Sequence, residues 1–139
     1  MTTPTRTEPQ TFRARALQNS LTVKDIDKSL HWYTEVVGFV VDNRYERDGK
    51  LAAVALKAGD VRILLNRDDG KRGWERVKGE GFSLSFITGQ SIDQVAQRIK
   101  DMGGTLETEP ADMPWGVRMF RLKDPDGYKI AVMSERPTT

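Results

Sequence analysis

The sequence repeats itself at a fixed interval, and that interval limits the fold more than any other feature. Ile26 and Ile92, Gly38 and Gly104, and Leu56 and Leu122 each stand 66 positions apart. Each pair holds the same place in the same order of expected elements. Leu21, Thr22, Val23 and Lys24 end an extended stretch, and Asp25-Ile26-Asp27 opens a helix. Ile26, Leu30, Tyr33 and Val37 then recur at near-helical spacing until Gly38 closes the segment. In the second copy Phe82-Ser83-Leu84-Ser85-Phe86 alternates as a strand does, and Ser91 caps a helix with Gln94 as its capping-box partner. Ile92, Val95, Ala96, Ile99 and Met102 form the apolar stripe of that helix, which Gly103-Gly104 ends.

A hairpin follows in both copies. Val54-Ala55-Leu56 turns at Ala58-Gly59-Asp60 into the run from Val61 to Leu65, and Phe120-Arg121-Leu122 turns at Asp124-Pro125-Asp126-Gly127 into the run from Tyr128 to Met133. The chain is read as a tandem duplication of a β-α-β-β-β unit, an α+β fold whose two modules form a curved mixed sheet around a cleft. Its 139 residues give room for one sizeable core. The expected layout is a disordered tail over 1–11, one domain over 12–135 and a tail over 136–139. Within the domain, module one spans about 15–67, a connection 68–80, and module two about 81–135.

One helix covers one face of each small sheet and leaves the other face to a ligand, the second module or a partner chain. Strand alternation assigns the faces. Leu21, Val23, Val61, Ile63, Leu65, Leu84, Phe86, Phe120, Leu122, Ile130 and Val132 are expected in the core. Gln18, Ser20, Thr22, Arg62, Leu64 and Asn66 of module one lie on the open side. So do Ser83, Ser85, Met119, Arg121, Lys129, Ala131 and Met133 of module two. Two such faces can enclose a cleft of the kind that takes small molecules.

Composition removes several function classes. There is no cysteine, hence no disulfide, thiolate nucleophile or Cys-based zinc site. A net charge of +2 with acids and bases interspersed gives no basic tract for nucleic acid. No apolar run reaches the length of a membrane span, and the Thr- and Pro-rich start lacks the apolar segment of a secretory signal, so a cytoplasmic protein is expected. Lys78-Gly79-Glu80-Gly81 lacks the spacing of a phosphate loop. The sole histidine, His31, falls outside the helix stripe and faces solvent, which leaves no Ser-His-Asp arrangement. Glu107, Glu109 and Asp112 read as a solvated edge. Among the aromatics, Trp115 (between Pro114 and Gly116), Trp74 in the polar connection and Tyr45 are candidates for stacking on a ligand, while Trp32 flanks the helix stripe and is expected to pack.

The stretch LTVKDIDKSLHWYTEVVGF (21–39) resembles the first strand and helix of the glyoxalase/bleomycin-resistance (vicinal oxygen chelate) superfamily. WGVRMFRLKDPDGYKIAV (115–132) is similar to its closing hairpin, and KGEGFSLSFITGQSIDQVAQRIKDMGG (78–104) sits where its second module begins. The resemblance spans about residues 12–135 and implies a homodimer and a small-molecule cleft. In enzymes of the superfamily it also implies a divalent metal, held by His or Gln on the first strand of each module and Glu on the last. Those positions fall on Gln18, Leu64, Ser83 and Ala131, and a slip of two residues would bring Asn66 or Arg62 in place of Leu64. Such a metal takes imidazole nitrogen or carboxylate oxygen, which this set does not supply.

The expected function is therefore metal-independent binding of a small organic molecule, antibiotic-like or a toxic metabolite, without a cofactor. Gln18, Arg62, Leu64, Asn66, Trp74, Ser83, Trp115, Arg121 and Ala131 are the candidate ligand-binding residues. The cations Arg62, Arg121 and Lys129 favour an anionic or carbonyl-rich ligand. The alternatives are a lyase or isomerase needing no metal, a metal-dependent glyoxalase-type enzyme, and an open face that serves only assembly.

Overall fold

The computed structural model describes residues 11–136; the expected terminal tails fall almost wholly outside them. Module one runs β1 (Gln18–Val23), α1 (Ile26–His31) with a π-helical turn over Trp32–Val37, β2 (Val40–Arg47), β3 (Lys50–Ala58) and β4 (Val61–Arg67). Module two runs β5 (Ser83–Thr88), α2 (Ile92–Asp101), β6 (Thr108–Asp112), β7 (Arg118–Lys123) and β8 (Lys129–Ser134). Each builds a four-stranded mixed sheet, in the orders β1-β4-β3-β2 and β5-β8-β7-β6. The first strand of each module pairs parallel with the last, and the remaining pairs are antiparallel. The duplication is thus literal in topology.

The helices begin where their caps stand. Asp25 accepts from the Lys28 N–H at 3.1 Å, and Ser91 accepts from the Gln94 N–H at 3.3 Å. The first helix departs from a uniform α-helix, because its second half widens into the π turn. That shift buries Tyr33 and Val36 and leaves Val37 only half-covered. Gly38 then adopts φ 109°, and both its N–H and that of Phe39 donate to the Tyr33 carbonyl. A Cβ at Gly38 would lie 2.8 Å from Nη1 of Arg98, the atom that donates to the Val36 and Val37 carbonyls. A side chain there would be strained by the positive φ and would displace the Arg98 guanidinium from those carbonyls.

The expected core is largely the observed one. Leu21, Val23, Ile63, Leu65, Phe120 and Leu122 are buried, as are the repeat partners Ile26 with Ile92 and Leu56 with Leu122. Phe86 is half-buried and completes a run of edge-on ring contacts from Tyr33 through Phe39, at 5.6 Å for each step. Two expected core residues are not core. Val61 is 38% exposed because it opens β4 beside the Gly59 turn, and Met102 lies past the last turn of α2, where it is exposed.

Polar bonds tie the modules together around the Asp124–Gly127 turn. Asp124 accepts from the Tyr33 hydroxyl at 2.8 Å and from the Asp126 and Tyr128 N–H groups at 2.9 Å. The Lys78 ammonium, itself buried, lies 3.0 Å from both Asp68 and Asp126. Asp126 also accepts from the Lys24 N–H, and the Tyr128 hydroxyl donates to the Thr22 carbonyl. Burial alone would push the Lys78 ammonium down, but its bonds to Asp126 and Asp68 outweigh that and raise it. Burial also raises Asp124, against three hydrogen bonds that favour its charged form. Asp68 is held at about 2, first by the Gly70 N–H and then by Lys78.

Two stability measurements follow. Tyr33→Phe removes what is, among the described residues, the only side-chain donor to buried Asp124, and should cost about 1–3 kcal/mol in chemical denaturation. Asp68 is a depressed carboxylate, so its contribution is complete above the ordinary value of 3.8 and is lost as pH falls through about 2. Asp68→Asn should therefore be less stable than the parent at neutral pH, with the gap between the two narrowing from pH 4 towards pH 2. A gap that stays constant over that window would contradict the assignment.

Candidate functional site

The open face of module two carries a cleft of about 310 Å³, with Ser83, Ser85, Trp115, Met119, Arg121 and Ala131 in its lining. Strand register explains how these residues meet. Met119 pairs with Met133 and Arg121 with Ala131 across β7 and β8, while Ser83 pairs with Lys129 and Ser85 with Ala131 across β5 and β8. Residues in register share a face, so all of these side chains point to the uncovered side. Trp115, in the loop before β7, forms the mouth and is 51% exposed. Met119 faces this side as expected but is only 3% exposed, so it belongs to the floor of the cleft and not to a wetted surface. Ala131 is buried beside it.

The module-one candidates lie on the corresponding face of their own sheet. Gln18 pairs with Arg62, Ser20 with Leu64 and Thr22 with Asn66. The Asn66 amide donates to the Ser20 hydroxyl, and Arg62 pairs with Asp42 at 3.6 Å. Tyr45, whose face the sequence left open, stands opposite Ala53, which in turn pairs with Asn66; it is therefore on this open face and half-exposed. None of these residues lines the module-two cleft. The structure thus brings Ser83, Trp115, Arg121 and Ala131 together and holds Gln18, Arg62, Leu64 and Asn66 on a separate sheet.

Trp74 belongs to neither face. Its indole packs on Gly70, where a Cβ would meet the ring at 2.4 Å, and it lines a hollow with Lys24, Lys28, Glu75 and Asp126. The connection that carries it is pinned by Lys78 to the Asp124–Gly127 turn, and Trp74 is not among the residues that line the cleft. Trp32 packs edge-on against Tyr33 at 4.8 Å, as expected of a helix-flanking ring, and His31 is exposed. Glu107, Glu109 and Asp112 each face a cation, Lys123, Lys100 and Arg118, along an exposed edge. Met119 and Met133 line the cleft, and the sequence placed them on the open side without assigning them a role. The repeat-aligned alternation was signal enough to find them.

The donor set does not fit a metal. Leu64 and Ala131 have no ligating atom, Ser83 offers a neutral hydroxyl and Gln18 a neutral amide. Among the described residues no three His, Cys, Asp or Glu side chains gather to hold an ion. None of the helices there is long and apolar enough to cross a membrane.

Comparison with known proteins agrees with this architecture. Residues 15–132 match the sequence profile of the Glyoxalase/Bleomycin resistance protein/Dioxygenase superfamily. A probable lactoylglutathione lyase of Vibrio cholerae is 30% identical over 128 residues, covering 88% of this chain and 91% of the relative. A probable lactoylglutathione lyase of Synechocystis is 27% identical over 123 residues, covering 84% and 92%. Among solved structures, a glyoxylase/bleomycin resistance protein/dioxygenase domain from Frankia superposes with a TM-score of 0.75 at 24% identity, covering 92% of this chain and 96% of that one. TioX from Micromonospora superposes at 0.69 with 20% identity, covering 87% and 98%. With a profile that spans nearly all of both modules and a sheet topology to match, the chain belongs to the glyoxalase/bleomycin resistance protein/dioxygenase superfamily.

Proposed function

We propose that this protein is a metal-independent binder that sequesters a small organic molecule, antibiotic-like or a toxic metabolite, in the cytoplasm. The observation that carries this reading is the floor of the module-two cleft. Ala131 and Ser83 stand where a metal enzyme of this superfamily would need ligands, and Trp115, Met119 and Met133 surround them with apolar, polarisable surface. A preformed hollow lined this way, with a few hydroxyls and cations at its margin, has the make-up of a ligand site. Gln18, Leu64 and Asn66 take part through the open face of module one, supplied to the cleft within a homodimer. β1 and β5 support that assembly, since each ends its sheet with one edge unpaired.

The relatives named as lactoylglutathione lyases favour a second reading, a lyase or isomerase. With these residues such an enzyme would have to polarise its substrate with Arg121, Lys129 and the serine hydroxyls, since the donor set offers a metal nothing to replace them.

Two experiments test the binder. Tryptophan fluorescence should be quenched on titration with some member of a panel of aromatic antibiotics and metabolites, and Trp115→Ala should abolish that response while leaving the melting temperature within a few degrees. Protein purified with nickel, zinc or manganese in the buffer and then dialysed should retain no stoichiometric metal. Retention of one ion per chain that is lost in Gln18→Ala would sink the metal-free reading.

A further inference from the structure

We infer that the module-two cleft is built for an aromatic acid: a flat ring system seated at Trp115, Met119 and Met133, with its oxyanion at Arg121 and Lys129. This rests on the reading of that cleft as a ligand site and adds the chemical class and the orientation of what it holds.

The register of the sheet carries the inference. Across β5, β8 and β7 the open face forms three rows, each two residues further along the strands. The first is Ile87, Met133 and Met119; the second Ser85, Ala131 and Arg121; the third Ser83, Lys129 and Lys123. The face therefore grades from wholly apolar at one end to hydroxyl and cation at the other. At about 3.3 Å per residue the outer rows are about 13 Å apart, a span suited to a fused two-ring acid lying along the strands. Trp115 stands in the lining with Met119 and Met133, and thioether sulfurs beside an indole favour an aromatic guest.

The charges at the polar end are available. Among the described residues neither the Arg121 guanidinium nor the Lys129 ammonium has a hydrogen bond or ion pair of its own. Neighbouring cations are engaged: Arg118 with Asp93 and Asp112, Lys100 with Glu109, and Lys123 with Glu107. Glu107 is the one carboxylate in the cleft lining, and Lys123 faces it at 3.7 Å. Arg121 and Lys129 thus leave a site whose positive charge is unanswered within the module. A guanidinium also presents the paired donors that a carboxylate accepts.

Ala131 makes the site possible. It lies directly opposite Arg121 in the ladder, at the position where the superfamily's metal enzymes carry a glutamate. A carboxylate there would sit within reach of the guanidinium and neutralise it. An alanine leaves the cation to the ligand and leaves room for a ring above it.

The test is calorimetric titration of the full chain with 2-naphthoate, 2-naphthamide and cyclohexanecarboxylate. Naphthoate should bind, and the amide, which keeps the shape and loses the charge, should bind about tenfold more weakly. Cyclohexanecarboxylate, which keeps the charge and loses the ring, should also bind more weakly than naphthoate. Arg121→Gln and Lys129→Gln should each weaken naphthoate and leave the amide unchanged; both side chains are exposed, so an unaltered melting temperature will confirm folding. Ala131→Glu should weaken naphthoate more than Ala131→Gln does, since both fill the same room and only the carboxylate also neutralises the guanidinium. Equal affinity for naphthoate and the amide, or indifference to both cation substitutions, would overturn the inference while leaving the cleft a binding site. Failure of both naphthalenes alongside binding of a neutral or cationic compound from the panel would do the same. Failure of every compound would remove the binding reading itself.

Discussion

Two carboxylates in one four-residue turn decide how the two halves of this molecule sit against each other. Asp124 is reached by Tyr33 from the first helix, and Asp126 is reached by Lys78 from the connection and by the Lys24 backbone from the end of β1. Neither carboxylate could be buried without these donors, because an unpaired charge away from water is costly. The turn thus forms together with its partners in module one or not at all in this shape. The equivalent turn of module one, at Gly59 and Asp60, is shorter and makes no such contacts among the described residues. The duplication is symmetric in topology and asymmetric in its fastening.

That fastening governs which surfaces remain open. The clasp, the Arg98 contacts and the ring contacts of Tyr33, Phe39 and Phe86 all lie on the helix-covered sides of the sheets, where the common core forms. Both uncovered faces are then left to other uses. On module two Trp115 joins the strand residues in lining a hollow, and on module one Tyr45, Asn66 and Arg62 share the open face of the sheet. The two faces differ in chemistry, and neither is bound by the packing demands of the common core.

Most of the fold was legible because the repeat acts on buried positions. Ile26 and Ile92 begin their helices, and Leu56 and Leu122 are buried in equivalent strands, since a shared interval in buried residues reports a shared backbone. The π turn was not legible: the spacing of Tyr33, Val36 and Val37 suits an ordinary helix nearly as well, and only the packing of Arg98 and Phe39 around Gly38 selects the wider turn. Lys78 was also hidden. In sequence it is one more cation in a polar connection, and its burial depends on Asp68 and Asp126, which lie on opposite sides of it in the chain. The place of Trp74 was hidden in the same way, since its ring packs on Gly70 beside a hollow shared with Lys24, Lys28 and Asp126 from distant parts of the chain. Arg121 and Ala131 could be placed from strand alternation and Trp115 from its loop at the entry to a strand, whereas alternation within one module does not report how the open face of the other lies.

A side-chain cation and a bound metal ion would let the same scaffold recognise different guests. In a superfamily metal site the central dication supplies the positive charge, and the protein surrounds it with carboxylate and imidazole. Here Leu64, Ser83 and Ala131 remove those donors, and the positive charge in the module-two cleft comes from Arg121 and Lys129 at one end of a graded face. A cation held on a side chain directs less field than a bare divalent ion and polarises a bound carbonyl less, so it serves orientation and affinity better than bond-breaking. Ala131 has no ligating atom and leaves the guanidinium opposite it without a facing carboxylate. On the proposed reading, the row of the sheet that offers no metal ligand at Ala131 presents the Arg121 cation to an anionic guest.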